Sequence, residues 1–285
     1  MNINRIIKES IDKVLTEGYS ARHIDDQIQK RIQPLMQWVE NCRNGNDNRM
    51  IINDEFKVNL KPFYKDNVYM QQKFQKNSKI KVKYIFTPDR EYEGGICGRT
   101  GSRYNTNLYN IYIELFLGSN ITPDSLLQGL RHELTHAIDM RISEWKNSFF
   151  GGGNIKYRNH QINDSEYQEI PMELKLLMYV LWDTAEFNAW QSSYGVKGGD
   201  FNGFIERMMG YLEKANSIND PEVWNAVRYY LVNKNALFPP GFIAGGSFGT
   251  YGHRDFRRSP LDAVKKYFID TSFKKLKKFI KKVKL

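Results

Sequence analysis

The segment Arg131-His132-Glu133-Leu134-Thr135-His136 holds the residue types and the spacing that can do chemistry. His132 and His136 are four apart, so on an α-helix both imidazoles stack on one face, close enough to share one metal ion. Neutral imidazole is a natural Zn²⁺ ligand. Glu133 lies one position beyond His132, about 100° around the helix, and would point beside such an ion rather than at it. There it could take a proton from water, whose pKa the ion lowers toward ~7. Two ligands and a base within one helical turn make a compact hydrolytic site. The chain has five His and sixteen Glu. A random order of its residues would produce HExxH with a frequency on the order of 0.005.

The elements that must position this segment can be read from periodicity and punctuation. Lys79–Thr87 alternates apolar and polar residues and stops at Pro88; Leu108–Leu117 is a second strong β segment. Gly94, Gly95, Gly98 and Gly101 between them suit tight turns or hairpins. Thr122-Pro123-Asp124 is a helix start, with Thr122 as N-cap and Pro123 in the first turn, and the helix is expected to run to about Arg141. Its apolar residues Leu126, Leu127, Leu130, Leu134 and Ile138 would bury it. A polar, Gly-rich loop is expected over 147–170, then a helix from Pro171 to about Ser192, and further helices over 201–216, 221–235 and from about Pro260 to the end. The Pro/Gly-rich stretch 236–253 reads as a loop. Before the sheet, two amphipathic helices are expected, one ending near Gly18 and one over 21–42, with Pro34 weakening the second half of the latter. The chain then divides into a helical N-terminal segment (1–49), a sheet with the HExxH helix (50–146), a helical subdomain (147–253) and a basic C-terminal helix (254–285).

A helix bearing HExxH, preceded by a strong β segment and followed by a returning helix, resembles the zincin-like metallopeptidases. The resemblance covers about residues 79–191 and is specific in the HExxH helix. It implies an α+β fold, with a small mixed or antiparallel sheet packed on that helix and a mainly helical C-terminal half. It also implies Zn²⁺ as cofactor, with His132 and His136 as ligands, and peptide-bond hydrolysis with Glu133 as general base. An edge strand, expected at Asn110–Leu117, would align an extended peptide by β-addition. The metzincin branch requires HExxHxxGxxH; Asp139 and Ile142 stand at its Gly and last His positions, which excludes it. The gluzincin branch takes its third ligand from a Glu on a later helix, and Glu186, 50 residues after His136, is the best match. Tyr179, Trp182, Glu186 and Ala189 fall at steps of three and four, and small Ala189 would let this helix approach the His helix closely. Glu173, His160 and His253 are the other third-ligand candidates, although a carboxylate at a helix start, as at Glu173, is also favoured by the dipole. Asp139 reads either as a partner for an imidazole N–H or as surface charge. Trp190 occupies the position where the thermolysin-type pattern has Asp, so the surroundings of Glu186 must be built differently. The resemblance further implies an oxyanion donor downstream, for which Tyr251 and His253 are the candidates, with Tyr194 behind them.

Composition bounds the rest. With 285 residues, 41% hydrophobic, 26% charged and 14% aromatic, the chain reads as a folded protein of one large or two small domains. The net charge of +10 is concentrated in 254–285, which carries twelve Lys/Arg against three Asp. That reads as a terminal helix packed on the body with a solvated Lys face, or else as a tail able to meet an anionic membrane surface or nucleic acid, and not as a nucleic-acid-binding body. Two cysteines, Cys42 and Cys97, read as free thiols in a reducing compartment. No run of about 18 apolar residues occurs and the N-terminus has helical rather than continuous apolar spacing. No membrane span or signal peptide is therefore expected, and the location is expected to be cytoplasmic, or virion-associated for a phage-encoded chain. The alternative to an enzyme is a structural or binding protein retaining a zincin fold, such as a phage particle component. The amphipathic N-terminus and the Lys, Asn, Ile and Tyr usage of AT-rich genomes are compatible with a phage or mobile-element origin.

Overall fold

A computed structural model describes residues 24–58, 79–105, 108–149, 170–182, 184–194, 201–229, 231 and 260–283. In chain order the elements are α1 (Asp25–Arg43), β1 (Ile51–Lys57), β2 (Lys79–Thr87), a 3₁₀ turn (Glu93–Gly95), β3 (Ile96–Asn105), β4 (Leu108–Gly118), α2 (Pro123–Phe149), α3 (Met172–Leu177), a π-helical turn (Met178–Trp182), α4 (Thr184–Tyr194), α5 (Phe201–Ser217), α6 (Pro221–Tyr229) and α7 (Leu261–Val283). The fold class is α+β, with a small mixed sheet. The helix expected to end near Gly18 and the loop over 236–253 lie outside the described residues. Residue contacts divide the chain into two units, 1–153 with 192–199, and 154–191 with 200–285.

The first unit is built on the sheet, in the order β1-β2-β4-β3. β1 runs antiparallel to β2, β2 parallel to β4, and β4 antiparallel to β3. Alternation decides its faces. Ile80, Val82, Tyr84 and Phe86 of β2 and Ile111, Ile113, Leu115 and Leu117 of β4 are buried on one side. On the other side Glu114 pairs with Arg99 and Lys83. The buried face joins α1, through Ile28, Ile32, Leu35 and Val39, and α2, through Leu126, Leu127, Leu130, Leu134 and Ile138, in one core. Each such fully buried side chain stabilises the fold by about 1.5–3 kcal/mol. That burial explains why α1 continues through Pro34: Leu35, Trp38, Val39 and Cys42 beyond it all enter the core.

Two features of this unit correct the sequence reading. Asn110–Leu117 is not an edge: β4 lies between β2 and β3, so the edges are β1 and β3. The outer margin of β1 is met by α1 at Glu55 and Lys57. The Gln27 side-chain amide donates to the Lys57 carbonyl at 2.8 Å and accepts from the Lys57 N–H at 3.2 Å, and Arg31 donates to the Glu55 carbonyl at 3.1 Å. Among the described residues no backbone group pairs with the outer margin of Ile96–Gly101 in β3. Secondly, α2 does not stop at Arg141 but runs 27 residues to Phe149. Its start is as expected: Thr122 Oγ1 accepts from the Ser125 N–H at 3.2 Å, and Ser125 Oγ accepts from the Thr122 N–H at 3.0 Å, a reciprocal cap.

Both cysteines are free; burial pushes the Cys42 thiol upward, while Cys97 is exposed on β3. A thiol reagent at neutral pH should therefore label one cysteine in the native protein and both after denaturation. Fast labelling of both in the native state would contradict the packing of Cys42.

The second unit is helical. Expected as one helix from Pro171, the 171–192 segment instead divides into α3, the π-helical turn and α4. The turn carries Met178, Val180, Leu181 and Trp182, all buried, and the wider spiral lets four nearly consecutive side chains enter the interior. Trp182 stacks on Phe268 of α7 at 5.3 Å and donates its indole N–H to Ser272 at 2.8 Å. α5 buries Phe204, Met208, Leu212 and Ala215, and α7 buries Val264, Phe268, Leu276 and Phe279. Among the described residues no helix is long and apolar enough to cross a membrane.

Candidate metal centre

α2 brings the two imidazoles together. His132 Nε2 and His136 Nε2 stand 3.1 Å apart, with ring centroids at 4.7 Å and planes at 83°. This follows from the four-residue step, which places both rings over one turn of the helix. His132 is half-buried and His136 is 9% exposed. Two ring nitrogens at this separation share either a proton or a cation.

Glu133 leaves the helix on the side of β3. Its carboxylate Oε2 accepts a hydrogen bond from Thr100 Oγ1 at 2.6 Å, and the same hydroxyl lies 3.0 Å from the Glu133 carbonyl oxygen. Gly98, two residues earlier on that face of β3, has no side chain to displace the carboxylate; a Cβ there would come within 2.5 Å of Oε1. One turn back on the helix the relation is reversed, and Ile96 of β3 fills the space over Gly129, where a Cβ would come within 2.5 Å of it. Strand and helix thus approach closely at both places, and Glu133 is only 7% exposed.

The far side of α2 is fixed by charge. Arg131 is 1% exposed and donates to both oxygens of Asp25, in the first turn of α1, at 2.7 and 3.1 Å. Thr135 Oγ1 donates to the Arg131 carbonyl at 2.7 Å, tightening the same turn. His132, Glu133 and His136 therefore sit on a helix held by core packing, by a two-pronged ion pair and by β3.

Glu186 lies in the first turn of α4 and is 9% exposed. Glu186 belongs to the second unit, whereas His132 and His136 belong to the first, where α2 brings their two imidazoles together. Glu173 is engaged elsewhere. Its carboxylate is held below the usual range by a hydrogen bond from its own backbone N–H and by Lys214, whose ammonium is 3.0 Å away. Asp139 is half-buried on α2. Trp190 stacks on Phe204 at 5.4 Å, so in place of a carboxylate this turn of α4 carries an aromatic packing contact. Tyr194 is buried at the end of α4. Tyr251, His253 and His160 lie outside the described residues.

Thr100, Gly98 and the Arg131–Asp25 pair escaped the sequence reading. A glycine inside a strand pattern is a signal for close approach of another element, and Thr100 shares its face two residues on. Nothing local marks Arg131 as paired, because Asp25 is 106 residues away. Comparison of the chain with known protein families, curated proteins and solved structures finds no match.

Proposed function

We propose that the chain is a zinc-dependent metallopeptidase of the gluzincin type, with His132, His136 and Glu186 as ligands and Glu133 as general base. The observation that carries this reading is the pair of imidazole nitrogens 3.1 Å apart. Two nitrogens bound to one tetrahedral zinc ion stand about 3.3 Å apart, so the pair suits a shared cation after only a small adjustment. Two imidazoles and one carboxylate, with a fourth position left for solvent or substrate, form the donor set of catalytic rather than structural zinc. Zinc held there supplies Lewis acidity and makes water a nucleophile at neutral pH.

The chain's own groups supply the rest. Glu133 is next to His132 in sequence and has Oε2 engaged by Thr100, so it takes the proton from attacking water and returns it to the leaving amine. β3 runs beside Glu133 with its outer margin open among the described residues, so it replaces β4 as the strand that aligns an extended substrate backbone. Tyr251 and His253 remain the proposed oxyanion donors.

The basic helix α7 is proposed to meet a polyanion, an anionic surface or nucleic acid, through charge alone. Its apolar residues Phe268, Leu276 and Phe279 are buried, while Lys274, Lys277, Lys278 and Lys281 form an exposed stripe at helical spacing.

Metal content tests the centre. Purified protein is expected to carry about one zinc per chain, following from a single three-ligand site. Chelation should stop hydrolysis of denatured casein, and added zinc should restore it. Glu186→Ala should lose the metal while staying folded. Zinc retained at full occupancy in that variant would remove Glu186 from the ligand set and turn attention to His160 or His253. Wild-type protein that binds no zinc and cleaves nothing would favour the binding-protein alternative.

A further inference from the structure

The face of β3 turned toward α2 reads Ile96, Gly98, Thr100, and each of the three has a specific relation to the helix. Ile96 fills the space at Gly129, Gly98 leaves room for the Glu133 carboxylate, and the Thr100 hydroxyl donates to Oε2 at 2.6 Å. A threonine hydroxyl has a single hydrogen. The 2.6 Å contact is the shorter of its two and takes that hydrogen, which makes Oε2 the less basic carboxylate oxygen and Oε1 the readier proton acceptor.

The geometry points to Thr100 and Gly98 as positioning residues that set the rotamer of Glu133 and determine which carboxylate oxygen reacts, an assignment that rests on the proposed role of Glu133. Thr100 acts as the donor that pins one oxygen. Gly98 acts by absence, since a methyl group at this position must push the carboxylate aside. The displaced atoms, Oε1, Cγ and Cδ at 2.5, 2.6 and 2.8 Å from such a methyl, belong to a flexible side chain. The chain can therefore accommodate alanine there while Glu133 loses its place. Such a substitution moves a general base without changing its chemistry, and displacement by about 1 Å at a reacting group costs on the order of 10²-fold in rate.

The test compares wild type, Gly98→Ala, Thr100→Val and Thr100→Ser, each loaded with zinc and assayed on a fluorogenic peptide cleaved by the wild type. Gly98→Ala and Thr100→Val are expected to keep stoichiometric zinc and KM within about twofold, and to lose ~10–100-fold in kcat. Thr100→Ser should restore most of the rate, because it returns the hydroxyl. Crystal structures of metal-free wild type and both impaired variants give a readout that needs no activity: the carboxylate should leave its wild-type position in each variant. Wild-type kcat in both, or a carboxylate unmoved in both crystals, overturns the assignment. A wild type that hydrolyses nothing, with the carboxylate nonetheless displaced in both variants, refutes the peptidase reading alone and leaves the positioning intact.

Discussion

Replacing Glu133 by Gln should leave zinc bound and reduce hydrolysis by ~10²–10⁴-fold, the usual contribution of a positioned general base. The substitution is nearly isosteric, so the close fit against Gly98 is kept and Thr100 can still donate to the amide oxygen. What is lost is the ability to accept a proton, since an amide oxygen is a far weaker base than a carboxylate. Neither His132 nor His136 is altered, and zinc per chain should match the wild type. Measured side by side, unchanged metal and collapsed turnover would separate Glu133 from the ligands. Near wild-type turnover in this variant would take the general base elsewhere.

The second large effect concerns stability. Asp25→Ala should destabilise the protein by about 3–5 kcal/mol, because it leaves the Arg131 guanidinium inside without its counter-ion. The Arg131 side chain is 1% exposed and that of Asp25 is 20% exposed, so solvent reaches the pair from one side only. Nη1 of Arg131 already has no hydrogen-bond partner among the described residues, and removal of Asp25 would orphan Nε and Nη2 as well. Since a whole domain is stable by only about 5–15 kcal/mol, the urea midpoint should fall sharply. The double variant Asp25→Leu/Arg131→Met should recover much of the loss, because a buried ion pair replaced by apolar side chains of similar size costs little. A loss below ~1 kcal/mol for the single variant would mean that water compensates Arg131 readily.

Where information is local, the sequence was a good guide. β2 alternates strictly and begins and ends at the expected residues, and α2 begins at its Thr122 cap. The imidazole pair followed from a single number, the four-residue step, because one helical turn determines that geometry. Strand order was different. A strand with one buried face shows the same alternation whether it is central or at an edge, so Leu108–Gly118 carried no mark of its central place. The grip of Thr100 on Glu133 spans 33 residues and depends on how a strand crosses a helix, which no periodicity encodes. The π-helical turn was hidden for a similar reason: Met178, Val180, Leu181 and Trp182 satisfy an ordinary apolar helix pattern, and only tertiary packing selects the wider spiral.

The amide of Gln27 mimics a neighbouring strand at Lys57, and Arg31 does the same work at Glu55. One rim of the sheet is thus capped from within the chain at Glu55 and Lys57, while among the described residues no backbone group pairs with the β3 rim. A foreign strand arriving at this end of β1 would have to displace both side chains before it could pair, which disfavours extension of the sheet there.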